Sequence, residues 1–131
     1  MKLRLSSVVG WICVLLVAAF NLFAAVMKFM PVEPGSPAEA MGKQMGLTPQ
    51  FDHVLGVLEF AIVALYVVPR TSTVGFVLMV GYMAGALATN LTHGFTNAQA
   101  MPIYITFAVM TIGAYLRNPE LLARLVKKSS F

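Results

Sequence analysis

Charge is what this sequence has least of. Nine lysines and arginines with five aspartates and glutamates make up 11% of 131 residues, where a soluble domain carries roughly 25%. A chain so poor in charge cannot cover a water-facing surface, which excludes a soluble enzyme or binding module. Cysteine is nearly absent too. Cys13 alone permits neither an internal disulfide nor a Cys-x-x-Cys pair, so thiol–disulfide exchange within one chain is ruled out, and Cys13 reads as a small apolar residue on a helix or lipid face. Histidine occurs only as His53 and His93. With Glu59 they lack the spacing of a zinc motif, so no metal is expected. Met27, Met30, Met41 and Met45 have no cysteine or loop histidine beside them to complete a soft copper(I) site and read as apolar anchors. No flavin, haem or dinucleotide motif occurs, so no intrinsic cofactor is expected.

What fills the chain instead is apolar sequence: 59% of residues, with a mean hydropathy of +0.81. The apolar segments show no strict alternation, which excludes a membrane barrel. Four spans of about 20 residues nearly use up the length. The expected fold is therefore all-α, one domain over 1–131: an integral membrane four-helix bundle with spans at 8–30, 49–68, 74–92 and 101–116, and a basic tail over 117–131.

Lys2 and Arg4 precede the first apolar run, which exceeds the 7–15 residues of a signal-peptide core and reads as an uncleaved span. Ala18, Asn21, Ala25 and Lys28 share one of its faces, small and polar. Ser36-Pro37-Ala38-Glu39 has the form of a capping box with proline at the first helical position, and Gly46 is a natural stop. A short interfacial helix over 37–45 is expected, with Ala38, Met41 and Met45 on one side. Thr48-Pro49 opens the second span, with Asp52 and His53 near the headgroups.

That span carries Glu59 at mid-depth. The ten Val, Leu, Ile and Phe residues between Val54 and Val68, worth about −0.3 to −0.6 kcal/mol each, offset the ~2.5–3.5 kcal/mol of a central charge. In the third span Gly81, Gly85 and Thr89 repeat every four positions, a pattern that predicts close helix–helix approach. The same face is a candidate contact for another membrane protein or a second copy of the chain. Tyr82, Ala86, Asn90 and His93 form a polar stripe beside it, and Tyr104, Ala108, Thr111 and Tyr115 share a face of the fourth span.

Orientation follows from counting basic residues. Lys2, Arg4, Arg70, Arg117, Arg124, Lys127 and Lys128 flank one side; Lys28 and Lys43 flank the other. This puts both termini in the cytoplasm, in the cell (inner) membrane, and explains the positive net charge without a nucleic-acid partner. The outward half then holds most of the polar side chains. An outward-opening pocket is expected, with Asn21, Lys28, Glu59, Tyr82, Thr89, Asn90, His93 and Tyr104 as its ligand-binding residues. Lys28 is expected about half a helix length from Glu59, leaving the carboxyl uncharged and able to donate a hydrogen bond. The alternative is that the two pair and serve as structural glue.

Ala24-Ala25-Val26-Met27-Lys28-Phe29, Gly56-Val57-Leu58-Glu59, Val68-Pro69-Arg70-Thr71, the run Gly81 to Asn90, and Tyr115-Leu116-Arg117-Asn118-Pro119-Glu120-Leu121 follow one another in fixed order. In these pieces, spanning about 21–122, the chain resembles the DoxX-like family of small four-span membrane proteins. The resemblance implies a four-helix bundle. It associates the chain with relatives linked to thiosulfate:quinone oxidoreduction, to other redox enzymes or to membrane-protein assembly. Relatives often carry His after the Ala-Thr of the third span; here Asn90 stands there, with His93 three residues later.

Three functions are compatible with these readings. One is a site for a small hydrophobic molecule, a quinone being the example, that serves a redox partner supplying the electrons. Another is a non-enzymatic assembly subunit for a membrane protein, using the Gly81/Gly85 face. The third is a self-contained acid–base enzyme of isomerase type, with Glu59 and His93 catalytic on a lipid-soluble substrate.

Overall fold

The computed structural model describes residues 5–126, so the expectations placed on Lys2, Arg4, Lys127 and Lys128 lie outside the described residues. Among the described residues the structure is helical throughout: α1 (Leu5–Met27), α2 (Pro37–Gln44), α3 (Pro49–Val67), α4 (Ser72–Thr92), α5 (Met101–Arg117) and α6 (Pro119–Val126). Three helices, α1, α3 and α4, are long and apolar enough to cross a membrane, and α5 is a shorter apolar helix. α1 stops before the end of its apolar run, because Lys28 and Phe29 turn toward α3. The described part of the tail, read from the sequence as basic, forms α6 from Pro119 to Val126.

Local chemistry sets the boundaries. Ser36 Oγ accepts from Glu39 N at 3.3 Å while Glu39 Oε2 accepts from Gly35 N at 2.7 Å. This is the expected capping box, with the glutamate's half shifted one residue toward the N-terminus, from Ser36 N to Gly35 N. Thr48 caps α3 by accepting from Phe51 N at 3.2 Å, with Pro49 in the first turn. Gly46, at φ +70°, ends the α2 region in the left-handed conformation that glycine adopts without strain.

α1 packs on α3 and α5, α3 on α4, and α4 most lightly on α5, so α1 and α4 lie diagonally across a ring of four. The core is Val14, Val17 and Ala18 of α1, Ile62, Val63 and Tyr66 of α3, Met79 and Met83 of α4, and Met110 of α5. Outside it, Ile12, Leu15, Leu16, Leu22 and Phe23 of α1 and Val74, Val77 and Leu78 of α4 are exposed. In water such a surface would far exceed the few hundred Å² of apolar patch a monomer tolerates; in lipid it is the expected exterior.

The glycines correct one expectation. Among the described residues no atom outside the local turns of α4 lies within 4 Å of where a Cβ at Gly81 or Gly85 would sit, so these residues make no close contact with another described helix. Gly75 makes that contact instead: its missing Cβ would meet the Tyr66 backbone. The short turn 68–71 forces α3 and α4 together at that end. Farther along α4, Gly81 and Gly85 lie on an exposed face while Met79 and Met83 stay buried on the other, so the small residues there leave space that no neighbouring helix among the described residues fills.

Candidate functional site

The space beside Gly81 and Gly85 is a cavity of about 420 Å³. α1 contributes Asn21 and Lys28, α3 Glu59, and α4 Tyr82, Thr89 and Asn90, while Met45 and Leu47 cover it from the loop before α3. Its walls are otherwise mostly apolar, with Phe20, Phe51, Leu55 and Ile103.

Glu59 is 2% exposed and is held from two sides. Lys28 Nζ donates to its Oε2 at 2.7 Å, and Tyr82 Oη donates to the same oxygen at 3.0 Å. The expectation that Lys28 stands half a helix length away is therefore wrong, and the pairing alternative describes the geometry. The reason is tertiary. Gly56 is buried, and a Cβ there would come within 2.6 Å of the Phe29 ring, so Phe29 sits in a notch that only glycine leaves open. Phe29 also stacks on His53 at 5.3 Å and on Phe60 at 5.8 Å between ring centroids. Seating Phe29 on α3 carries its neighbour Lys28 to Glu59, one helical turn beyond Gly56.

Glu59 Oε1 accepts no hydrogen bond among the described residues, because both donors converge on Oε2. Asn21, 1% exposed, donates from Nδ2 to Val17 O at 2.9 Å, and its enclosed Oδ1 has no partner among the described residues. Asn90 Nδ2 donates to Ala86 O at 2.7 Å and Thr89 Oγ1 to Gly85 O at 2.8 Å, so both turn back on their own helix. Of the sequence-predicted site, the structure brings Asn21, Lys28, Glu59, Tyr82, Thr89 and Asn90 around one cavity.

His93 and Tyr104 are not among the residues that line it. His93 is exposed beyond the end of α4, with Nδ1 2.8 Å from Thr89 O, and its carbonyl accepts from Gln44 Nε2 at 2.9 Å. Tyr104 Oη donates to Asn97 Oδ1 at 3.0 Å, on the exposed side of α5. Neither lines the cavity, and among the described residues His93 makes no hydrogen bond with Glu59. The cavity residues that sequence reasoning missed are apolar, among them Phe20, Phe51, Leu55 and Ile103, which no chemical signal separates from lipid-facing neighbours, and Met45 and Leu47 of the loop.

Among the described residues no group of three or more His, Cys, Asp and Glu side chains is arranged to hold a metal. Outside the spans, Glu39 is held below the usual carboxylate range, first by its hydrogen bond with Lys43 and then by that from Gly35 N. The Lys43 Nζ–Glu39 Oε1 distance is 2.6 Å.

No match was found among curated proteins or among solved structures. A sequence model of the DoxX-like family, by contrast, matches residues 12–113, which include α3 and α4 entire and most of α1 and α5. This chain, an integral membrane protein, belongs to the DoxX-like family.

Proposed function

We propose that the protein binds a small hydrophobic molecule with a polar head in the cavity beside Glu59, in association with a membrane redox partner. The observation that carries this reading is a buried carboxylate whose second oxygen accepts no hydrogen bond, at the wall of a largely apolar cavity. An intramembrane carboxylate is costly and usually functional. Lys28 and Tyr82 fix Oε2; Oε1 is left to accept from a ligand. A quinone suits such a wall in both redox forms: its carbonyl can accept from the Lys28 ammonium, and a quinol hydroxyl can donate to Oε1. The chain has no motif for an electron carrier, so electrons reach or leave the ligand through the partner. In this reading the site lies in the outward half of the inner membrane, with both termini cytoplasmic.

Mass spectrometry of organic extracts tests the reading. The purified wild-type protein is expected to release a discrete lipid-soluble compound, and Gly85→Leu, which fills the cavity without touching the ion pair, is expected to release none. Empty extracts, or equal amounts from both proteins, would overturn it. The same lack of neighbours at Gly81 and Gly85 favours a second reading, in which a helix of another membrane protein or of a second copy fills that space. A stoichiometric co-purifying chain lost in Gly85→Leu would decide for it.

A further inference from the structure

At the opposite end of the bundle a second cavity, of about 220 Å³, is lined by Tyr66, Ser72, Thr73, Arg117 and Asn118, where the α3–α4 turn meets the end of α5. Several times the ~30 Å³ share of a water molecule, it is separate from the Glu59 site and shares none of that site's polar groups. We propose that it binds a phosphate oxyanion.

Three independent features converge there. The first is an uncapped helix start. Thr71 occupies the N-cap of α4, but its hydroxyl donates to Leu65 O at 2.8 Å and makes no cap bond. The N–H groups of Ser72, Thr73 and Val74 therefore have no acceptor among the described residues. Free N–H groups at the positive end of a 21-residue helix attract anions.

The second is Arg117. Its guanidinium carbon lies 3.9 Å from the Trp11 ring centroid, and its stem passes over Gly10, whose missing Cβ would come within 2.8 Å of Arg117 Cγ. Stacking by one face holds the cation in place and leaves its N–H edges free for a planar, charge-assisted contact. Among the described residues it has no carboxylate partner, and none of the lining residues is acidic.

The third is Tyr66, 3% exposed, whose enclosed hydroxyl has no hydrogen-bond partner among the described residues. A buried hydroxyl left unpaired is costly, and Gly75 packs against the Tyr66 backbone and fixes its position. A phosphate group supplies the acceptors that all three features lack. On the side to which the basic count assigns the cytoplasm, two sources carry it: a phospholipid headgroup and free phosphate.

The test is thermal unfolding of the full chain in a phosphate-free sugar detergent, with added inorganic phosphate, phosphatidylglycerol or diacylglycerol. Tm is expected to rise with phosphatidylglycerol and not with diacylglycerol, the rise being abolished in Arg117→Met and at least halved in Tyr66→Phe. Tyr66→Phe removes only the unpaired hydroxyl and should fold as well as the parent. A matching rise with inorganic phosphate would identify free phosphate as sufficient; a rise with the lipid alone would identify the headgroup. No rise with either, an equal rise with diacylglycerol, or a rise unchanged in both variants would overturn the proposal.

Discussion

The two ends of the bundle use glycine in opposite ways. At the end holding the α3–α4 turn, glycine brings backbones and side chains together: Gly75 on Tyr66, Gly113 on Cys13, Gly10 on the Arg117 stem. At the other end Gly81 and Gly85 meet no other described helix within 4 Å and border the cavity. Along α4 the same residue type thus closes one end and leaves the other open, although Gly56 of α3 still seats Phe29 in the open half. In a bilayer, where helix association rests on close packing rather than on water exclusion, the closed half anchors the bundle. The open half is free to carry an expensive charged group.

The sharpest way to break that contrast is to add bulk at each end. In Gly75→Val the obstacle is the Tyr66 backbone, which cannot rotate away. Overpacking usually costs about 1–3 kcal/mol, and here the backbone clash should push it above that range. Loss of a monodisperse folded peak on size exclusion is the expected result. Gly85→Leu should instead keep the parent elution and lose at most the Tm that a bound ligand contributes. Equal damage from both would mean that the open half is closed in the membrane.

Glu59 gives the next largest effect. Removing one partner of a buried pair costs about 3–5 kcal/mol; Lys28 keeps 21% of its side chain exposed and can turn toward the headgroups, so the lower end applies. Glu59→Leu should lower Tm markedly, and Lys28→Met in the same chain should recover most of the loss. Without recovery, the pair is not what holds α1 to α3. Gly56→Ala should then act in the same direction more weakly, since the Phe29 ring that it displaces is the far end of a side chain. Gly56→Ala with Phe29→Leu should restore part of the loss in thermal unfolding.

Which of these features are legible in the sequence? Caps and helix identities are, because Ser36, Glu39, Thr48 and Pro49 act within a turn of themselves. The polar residue types of the site are as well, since Glu59, Lys28 and Asn21 stand out in apolar runs. Distance is not. Lys28 reaches Glu59 only because Phe29 finds the Gly56 notch, a contact between residues far apart in sequence. Nor does a small-residue stripe say whether the space it leaves is occupied, which is why Gly81 and Gly85 suggest a packed interface while Gly75 carries no such signal. His93 and Tyr104 show the same limit: depth along a helix can be counted, but the face it presents depends on how its neighbours are placed.

The smallest expected effect belongs to the connection that covers the open half. α2 has no buried residues and is held by its caps, by Glu39 with Lys43, and by the Gln44–His93 bond. Glu39 titrates below the ordinary glutamate value of 4.5 in the folded protein because Lys43 and Gly35 N favour its charged form. A depressed carboxylate contributes stability that is fully present above the unfolded value. That contribution is lost as pH falls through the folded one. α2 should therefore fray as pH drops below 4.5. Amide hydrogen exchange of residues 37–44, compared with that of α3 over the same range, measures it. Glu39→Gln should exchange fast already at neutral pH and show no further acid step of its own. An acid step that persists unchanged in Glu39→Gln would assign the titration to another group and leave α2 held by its remaining contacts alone.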